Sequence, residues 1–294
     1  QAAYLAVIAI WSTTPLAIKF SNDSLSPFAA VSLRMVIGLA CLLLISSLWR
    51  ATSIHFKHWK IYLAASLSMF PNMIIVYWAA QYIPSGLVSV LFGLTPFFTG
   101  IASIYLLKEN PFNPRRLFAL FIAISGLILI FYDQMNIDLD SFKGIIGILV
   151  SNVLFSISGV WIKKLDTHIA PLEQTTGALL IAVPGFFISW FIFDGQIPSF
   201  ISTTSLYGIL YLAVFGTIIG YLCFFYILKV LTIEAVSLIP LITPALALQL
   251  GSLLGGENFG WKVLLGSAMI IIALAFYEKW LWRKEPTSLI NAES

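Results

Sequence analysis

Apolar residues run along this chain in long unbroken stretches, without the one-sided or alternating patterns of a soluble fold, and ten such stretches can be marked off. In the first half they cover 3–20, 28–49, 59–80, 84–107 and 117–132; in the second, 144–162, 172–193, 206–228, 233–254 and 261–282. A helix crosses the hydrocarbon layer with ~20 apolar residues at ~1.5 Å each, and these stretches are of that order. They are too continuous for the alternating ten-residue segments of a membrane barrel. The pattern therefore predicts an all-α integral membrane protein of ten transmembrane helices, each satisfying its own backbone N–H and C=O groups. The first stretch reads as a true span and not a signal peptide, because nine more follow and no small-residue cleavage site stands out.

Composition agrees with this. Of 294 residues, 60% are hydrophobic and 10% charged, against the ~25% charged that keeps a soluble domain wet. The net charge of +3 points to no nucleic-acid partner; its distribution is what matters. With the N-terminus in the cytoplasm, twelve cations fall inside: Arg50, Lys57, Lys60, Lys108, Arg115, Arg116, Lys163, Lys164, Lys229, Lys279, Arg283 and Lys284. Lys19, Lys143 and Lys262 fall outside, and Arg34 lies within a span. This bias predicts a multi-pass protein of a bacterial-type inner membrane with both termini cytoplasmic. Trp49, Trp59, Tyr132, Trp261, Trp280 and Trp282 sit near span ends, where amphipathic rings collect.

The second half repeats the first. Thr95-Pro96 is followed by Glu109-Asn110, and Thr243-Pro244 by Glu257-Asn258, at the same interval and an offset of 148 residues. Val88-Ser89 matches Val236-Ser237 in that register, while Ser12, Lys19 and Pro27 match Ser156, Lys163 and Pro171 at an offset of 144. Five spans per copy is an odd number, so the copies enter the membrane with opposite polarity, the architecture of alternating access. The expected units are a first five-helix repeat at 1–134, a second at 143–284 and a cytoplasmic tail at 285–294.

With its 5+5 layout, the proline of the fourth span, the Glu at that span's end, and internal glycines such as Gly126 and Gly266 in the spans that follow, the chain resembles the drug/metabolite transporter superfamily. More narrowly, it is similar to the ten-helix group built from two EamA-like domains, and the resemblance covers essentially the whole chain. It implies a 5+5 helical bundle around a central cavity, working by alternating access and often exporting amino acids or related metabolites. A small-molecule substrate and the lipid bilayer are the partners expected, and one copy of the chain can suffice.

Polar residues within spans face protein or a water-filled cavity, so their helical phase is informative. Trp11, Ser12 and Pro15 share a face of the first span; Asn152, Phe155, Ser156 and Gly159 share the repeat-equivalent face of the sixth. Asn72, Tyr77, Trp78 and Gln81 in the third span, Thr217, Tyr221 and Phe225 in the eighth, and Thr95 and Thr243 complete the candidates. Each of these threonines precedes a proline, Pro96 or Pro244, which removes a backbone donor and predicts a kink. Any single Ser or Thr has an alternative role in packing or in bonding the preceding turn, and the aromatics are open between cavity, core and lipid. Arg34 stands apart. It snorkels to the interface, makes a structural contact or meets a substrate carboxylate in a bidentate pair. Similarity to relatives with an Arg in the second span implies a structural or gating role, as for Pro15, Pro96 and Pro244.

Other chemistry is not indicated. Cys41 and Cys223 lie alone in apolar runs, His55, His58 and His168 fall in loops, and no cofactor or metal motif is present, so none is expected. No Asp or Glu lies deep in a span, which predicts facilitated diffusion, exchange, or proton linkage without a buried carboxylate, and disfavours a cation carrier. An intramembrane enzyme would need a nucleophile with its base or a metal cluster at depth. The sequence thus predicts a secondary transporter for an amino acid or related zwitterion, with a larger aromatic, nucleoside-like or cationic compound as the alternative.

Overall fold

The computed structural model describes residues 2–49, 54–83, 85–132, 139–166, 169–198, 200–243 and 261–278. Every regular element among them is helical. Among the described residues, five helical stretches are long and apolar enough to cross a membrane: Ala2–Ser21, Pro27–Leu48, Asp140–Leu165, Pro171–Phe193 and Thr203–Val230. The helices are α1 (Ala2–Ser21), α2 (Pro27–Trp49), α3 (Trp59–Ser66), α4 (Asn72–Ala79), α5 (Ser85–Phe92), α6 (Thr95–Leu106) and α7 (Pro114–Phe131). They continue as α8 (Leu139–Leu165), α9 (Pro171–Phe193), α10 (Thr203–Tyr211), α11 (Gly220–Val230), α12 (Ile233–Ser237) and α13 (Trp261–Glu278).

Two of the expected spans are broken, which corrects the reading of them as continuous helices. The stretch 59–80 divides into α3 and α4 around Pro71, and 84–107 divides into α5 and α6 at Gly93-Leu94. An interruption in lipid exposes backbone groups that water cannot satisfy, so the protein must supply partners. At the first break, the Ser68 carbonyl accepts from Asn72 Nδ2 at 2.9 Å and Tyr221 Oη at 3.0 Å. At the second, Asn152 Nδ2 donates to the Leu91 carbonyl at 2.8 Å, and its Oδ1 lies 2.7 Å from the Thr95 hydroxyl. Between α10 and α11, residues Leu212–Ile219 take the wider π-helical winding, so 203–230 is one rod with a loosened middle.

α2 and α3 pack on α9, α4 and α6 on α8, and α1 on α10 and α11. α7 crosses α13 at the paired glycines: a Cβ on Gly126 would stand 2.7 Å from the Gly266 carbonyl oxygen, and one on Gly266 would stand 2.5 Å from that of Gly126. Only hydrogen at both Cα atoms allows this approach. Side chains such as Phe118, Phe121, Ile188, Phe191 and Ile192 stay exposed around the outside, a belt too apolar for water. Span nine beyond Thr243, including Pro244, lies outside the described residues, as does the chain after Glu278.

Candidate functional site

The helices enclose a cavity of about 920 Å³. Trp11, Ser12 and Pro15 reach it from α1, Arg34 from α2, Asn72, Met73 and Val76 from α4, Thr95 from α6, Phe155 from α8 and Tyr221 from α11. Pro240 and Thr243 close one side, and Gly216 contributes backbone from the π-helical turn. Lys19, Asn22, Asp23, Gln81 and Tyr82 line it where α1 and α4 end, which makes this the mouth.

The floor is aromatic. Trp11 meets Phe155 edge to face at 5.7 Å and Phe224 at 5.3 Å, and Phe155 lies 5.3 Å from Phe224. Trp11 and Phe155 occupy equivalent positions at the 144-residue offset, and this one pair from α1 and α8 meets at the cavity. Toward the far end, Tyr4 Oη donates to the Ala235 carbonyl at 3.0 Å and joins α1 to α12.

Arg34 supplies the cavity's deep positive charge. It is 2% exposed, its Nε donates to Thr217 Oγ1 at 2.8 Å and its Nη1 to Tyr77 Oη at 3.2 Å. Its other terminal nitrogen lies 2.9 Å from where a Cβ on Gly216 would be, so the glycine leaves room for the guanidinium. Among the described residues no carboxylate pairs with it. Of the roles open to Arg34 in the sequence, snorkelling is excluded: the side chain turns inward onto Thr217 and Tyr77. A buried guanidinium held only by neutral acceptors keeps an uncompensated charge and free donors.

The candidates divide into liners and struts. Trp11, Ser12, Pro15, Arg34, Asn72, Gln81, Thr95, Tyr221 and Thr243 line the cavity. Tyr77, Trp78, Asn152 and Ser156 do not, although helical phase had grouped them with the liners. Tyr77 is buried under Arg34, Trp78 packs edge-on to Tyr82 at 5.1 Å, Asn152 braces the α5–α6 break, and the Ser156 hydroxyl lies 3.1 Å from that of Thr99. Gln81 sits at the mouth and donates to the Trp78 carbonyl at 3.2 Å. The Thr95 and Thr243 hydroxyls both donate back three residues, to the Phe92 carbonyl at 2.6 Å and the Pro240 carbonyl at 3.4 Å. Pro96 lies behind this wall, lining a separate small hollow with Phe112 and Arg116.

Met73, Val76, Asn22 and Asp23 also line the cavity, beyond the residues that helical phase predicts. The first two are apolar and carry no signal within an apolar span, and the last two sit in a loop. A second polar cluster lies elsewhere: the Nδ1 atoms of His58 and His55 stand 2.8 and 3.6 Å from Glu173 Oε1.

Residues 2–132 and 142–277 each match the EamA-like transporter family, so the match runs along the chain twice. An uncharacterized transporter of Bacillus subtilis, YoaV, is 27% identical over 269 residues, covering 90% of this chain and 92% of its own. Protein PagO of Salmonella typhimurium is 25% identical over 278 residues, 92% of this chain and 88% of its own. A probable amino-acid metabolite efflux pump of Escherichia coli is 25% identical over 210 residues, 68% of this chain and 70% of its own. One crystal structure superposes with a TM-score of 0.76 over 95% of this chain and 96% of its own at 14% identity, a likeness of fold.

Proposed function

The chain belongs to the EamA-like transporter family, a multi-pass membrane protein of the drug/metabolite transporter superfamily, and we propose that it carries a small zwitterion, an amino acid or close relative, by alternating access through its central cavity. The observation that carries this reading is Arg34. A guanidinium 2% exposed on a cavity wall, without a carboxylate partner among the described residues, is completed by a substrate that brings one. The substrate's ammonium would lie against the ring faces of Trp11, Phe155 and Tyr221 or the polar walls at Asn72 and Thr95, since among the described residues the cavity offers a carboxylate only at Asp23, by the mouth. The Escherichia coli relative named as a probable amino-acid metabolite efflux pump supports the same class.

The membrane layout belongs to this proposal: ten spans in two oppositely inserted sets of five, one from each family match, with both termini in the cytoplasm. The cavity mouth at Lys19, Asp23 and Tyr82 would then face outside. A bulkier aromatic or cationic compound is the second reading, favoured by the Trp11–Phe155–Phe224 floor.

Thermal unfolding of the purified protein, recorded with free amino acids, their methyl esters and the corresponding decarboxylated amines, separates the readings, because a ligand of the folded state raises its stability with occupancy. Free acids are expected to stabilise, esters and amines to do nothing, and Arg34→Gln to remove the effect. A charged hydrogen-bonded pair contributes ~1.5–3 kcal/mol, so affinity should fall ~10- to 100-fold. Equal stabilisation by amines and acids would end the carboxylate reading. Counterflow of the stabilising compound in liposomes then tests transport itself.

A further inference from the structure

We propose that His55, His58 and Glu173 form a binding site for a divalent transition-metal ion, zinc by preference, at the end of the bundle remote from the cavity mouth. His55 and His58 bracket the short 3₁₀ turn that leads into α3, and Glu173 stands in the first turn of α9. One donor atom from each of the three residues lies within 4.8 Å of the others. Zinc holds nitrogen and oxygen ligands at ~2.0–2.2 Å, which places the ligands of a tetrahedron ~3.4 Å from one another. The His55–Glu173 separation of 3.6 Å is already near that value, and the His58–Glu173 contact of 2.8 Å needs to open by only ~0.6 Å. Two imidazoles and one carboxylate form a known three-ligand zinc set that leaves a fourth position for water.

Charge and access favour occupancy. Glu173 is 8% exposed, and among the described residues no Lys or Arg pairs with it, so neutral histidines would leave its charge uncompensated. A dication meets that need. The His55 side chain is 55% exposed, which gives the ion a path in from the aqueous side. Tyr62 serves as the outer support: its hydroxyl donates to Glu173 Oε1 at 2.5 Å and accepts the His55 backbone N–H at 3.3 Å, fixing the carboxylate and the loop together. Two ligands belong to the first family match and one to the second, so a bound ion would pin the entry of α3 to α9 across the seam between them. Asp194, at the other end of α9 and bonded to Ser26 just before α2, is ~30 Å away along the helix axis, so the site lies far from the cavity mouth, and none of its three ligands lines the cavity.

The test uses the full chain, purified with any affinity tag removed, titrated with zinc chloride and separately with cobalt chloride. Expected are one zinc per chain, a raised unfolding temperature, and the intense visible bands of four-coordinate cobalt. His55→Ala, whose side chain is exposed and tolerates loss, should weaken zinc by more than the ~10- to 100-fold that loss of an outer-shell partner causes and should abolish the cobalt bands, as should His58→Gln. Zinc should also slow amide exchange in residues 55–66 and 171–180 of the wild type and leave it unchanged in His55→Ala. Equal zinc affinity in wild type and both histidine variants, or a wild type that binds no zinc at micromolar concentrations, overturns the site.

Discussion

The amide of Asn152 bonds both sides of a helix break at once. Its nitrogen satisfies the Leu91 carbonyl and its oxygen sits beside the Thr95 hydroxyl, so the polar ends of α5 and α6 are paired without water. Replacing it with Ala orphans that carbonyl in an apolar setting, at a cost of ~1–3 kcal/mol. Asn152→Ala should therefore lower the unfolding temperature in detergent while the protein still folds; an unchanged temperature would mean the carbonyl finds another donor. This residue also shows how far sequence reading reaches. Helical phase grouped polar faces on α1, α4 and α8; the α1 residues line the cavity, whereas only Asn72 of the α4 set and Phe155 of the α8 set do. Phase names a face and not a partner, so Asn152 and Tyr77 read as substrate ligands when they hold other residues in place. The link between His58 and Glu173 joins positions 115 apart in sequence, and no local pattern announces it.

At the scale of helices, apolar length was legible and continuity was not. A hydropathy reading averages through Pro71 and Gly93, because the residues flanking each break are as apolar as those of an intact span. The breaks become visible only with the side chains that satisfy them. The glycines fared better: Gly126 and Gly266, picked out in the apolar stretches following the TP motifs, meet where α7 crosses α13. Adding one methyl to either forces the helices apart, and overpacking of this kind costs ~1–3 kcal/mol. Gly126→Ala and Gly266→Ala should each lower the unfolding temperature. The double variant should lose less than the two losses together, since the first substitution already opens the crossing. Strict additivity would show that the two glycines act apart.

For the whole molecule, the proposed orientation and the direction of the cavity stand or fall together. In a chain carrying Cys41→Ser and Cys223→Ser, which removes both native thiols, Gln81→Cys at the mouth should react with a membrane-impermeant thiol reagent added to intact cells. A cysteine in place of Lys164 should react only after the cells are opened. The reverse pattern would turn the molecule over in the membrane and place the mouth inside. The cavity floor has a consequence of its own. Trp11, Phe155 and Phe224 meet there by ring contact, and each such pair contributes only ~0.5–1.5 kcal/mol beyond its buried area. Parting three rings strands no donor or acceptor, unlike parting the bonded struts at Asn152 or Ser68. In the proposed carrier, this ring partition is the part of the cavity wall that parts at least cost, with the hydrogen-bonded struts beside it left in place.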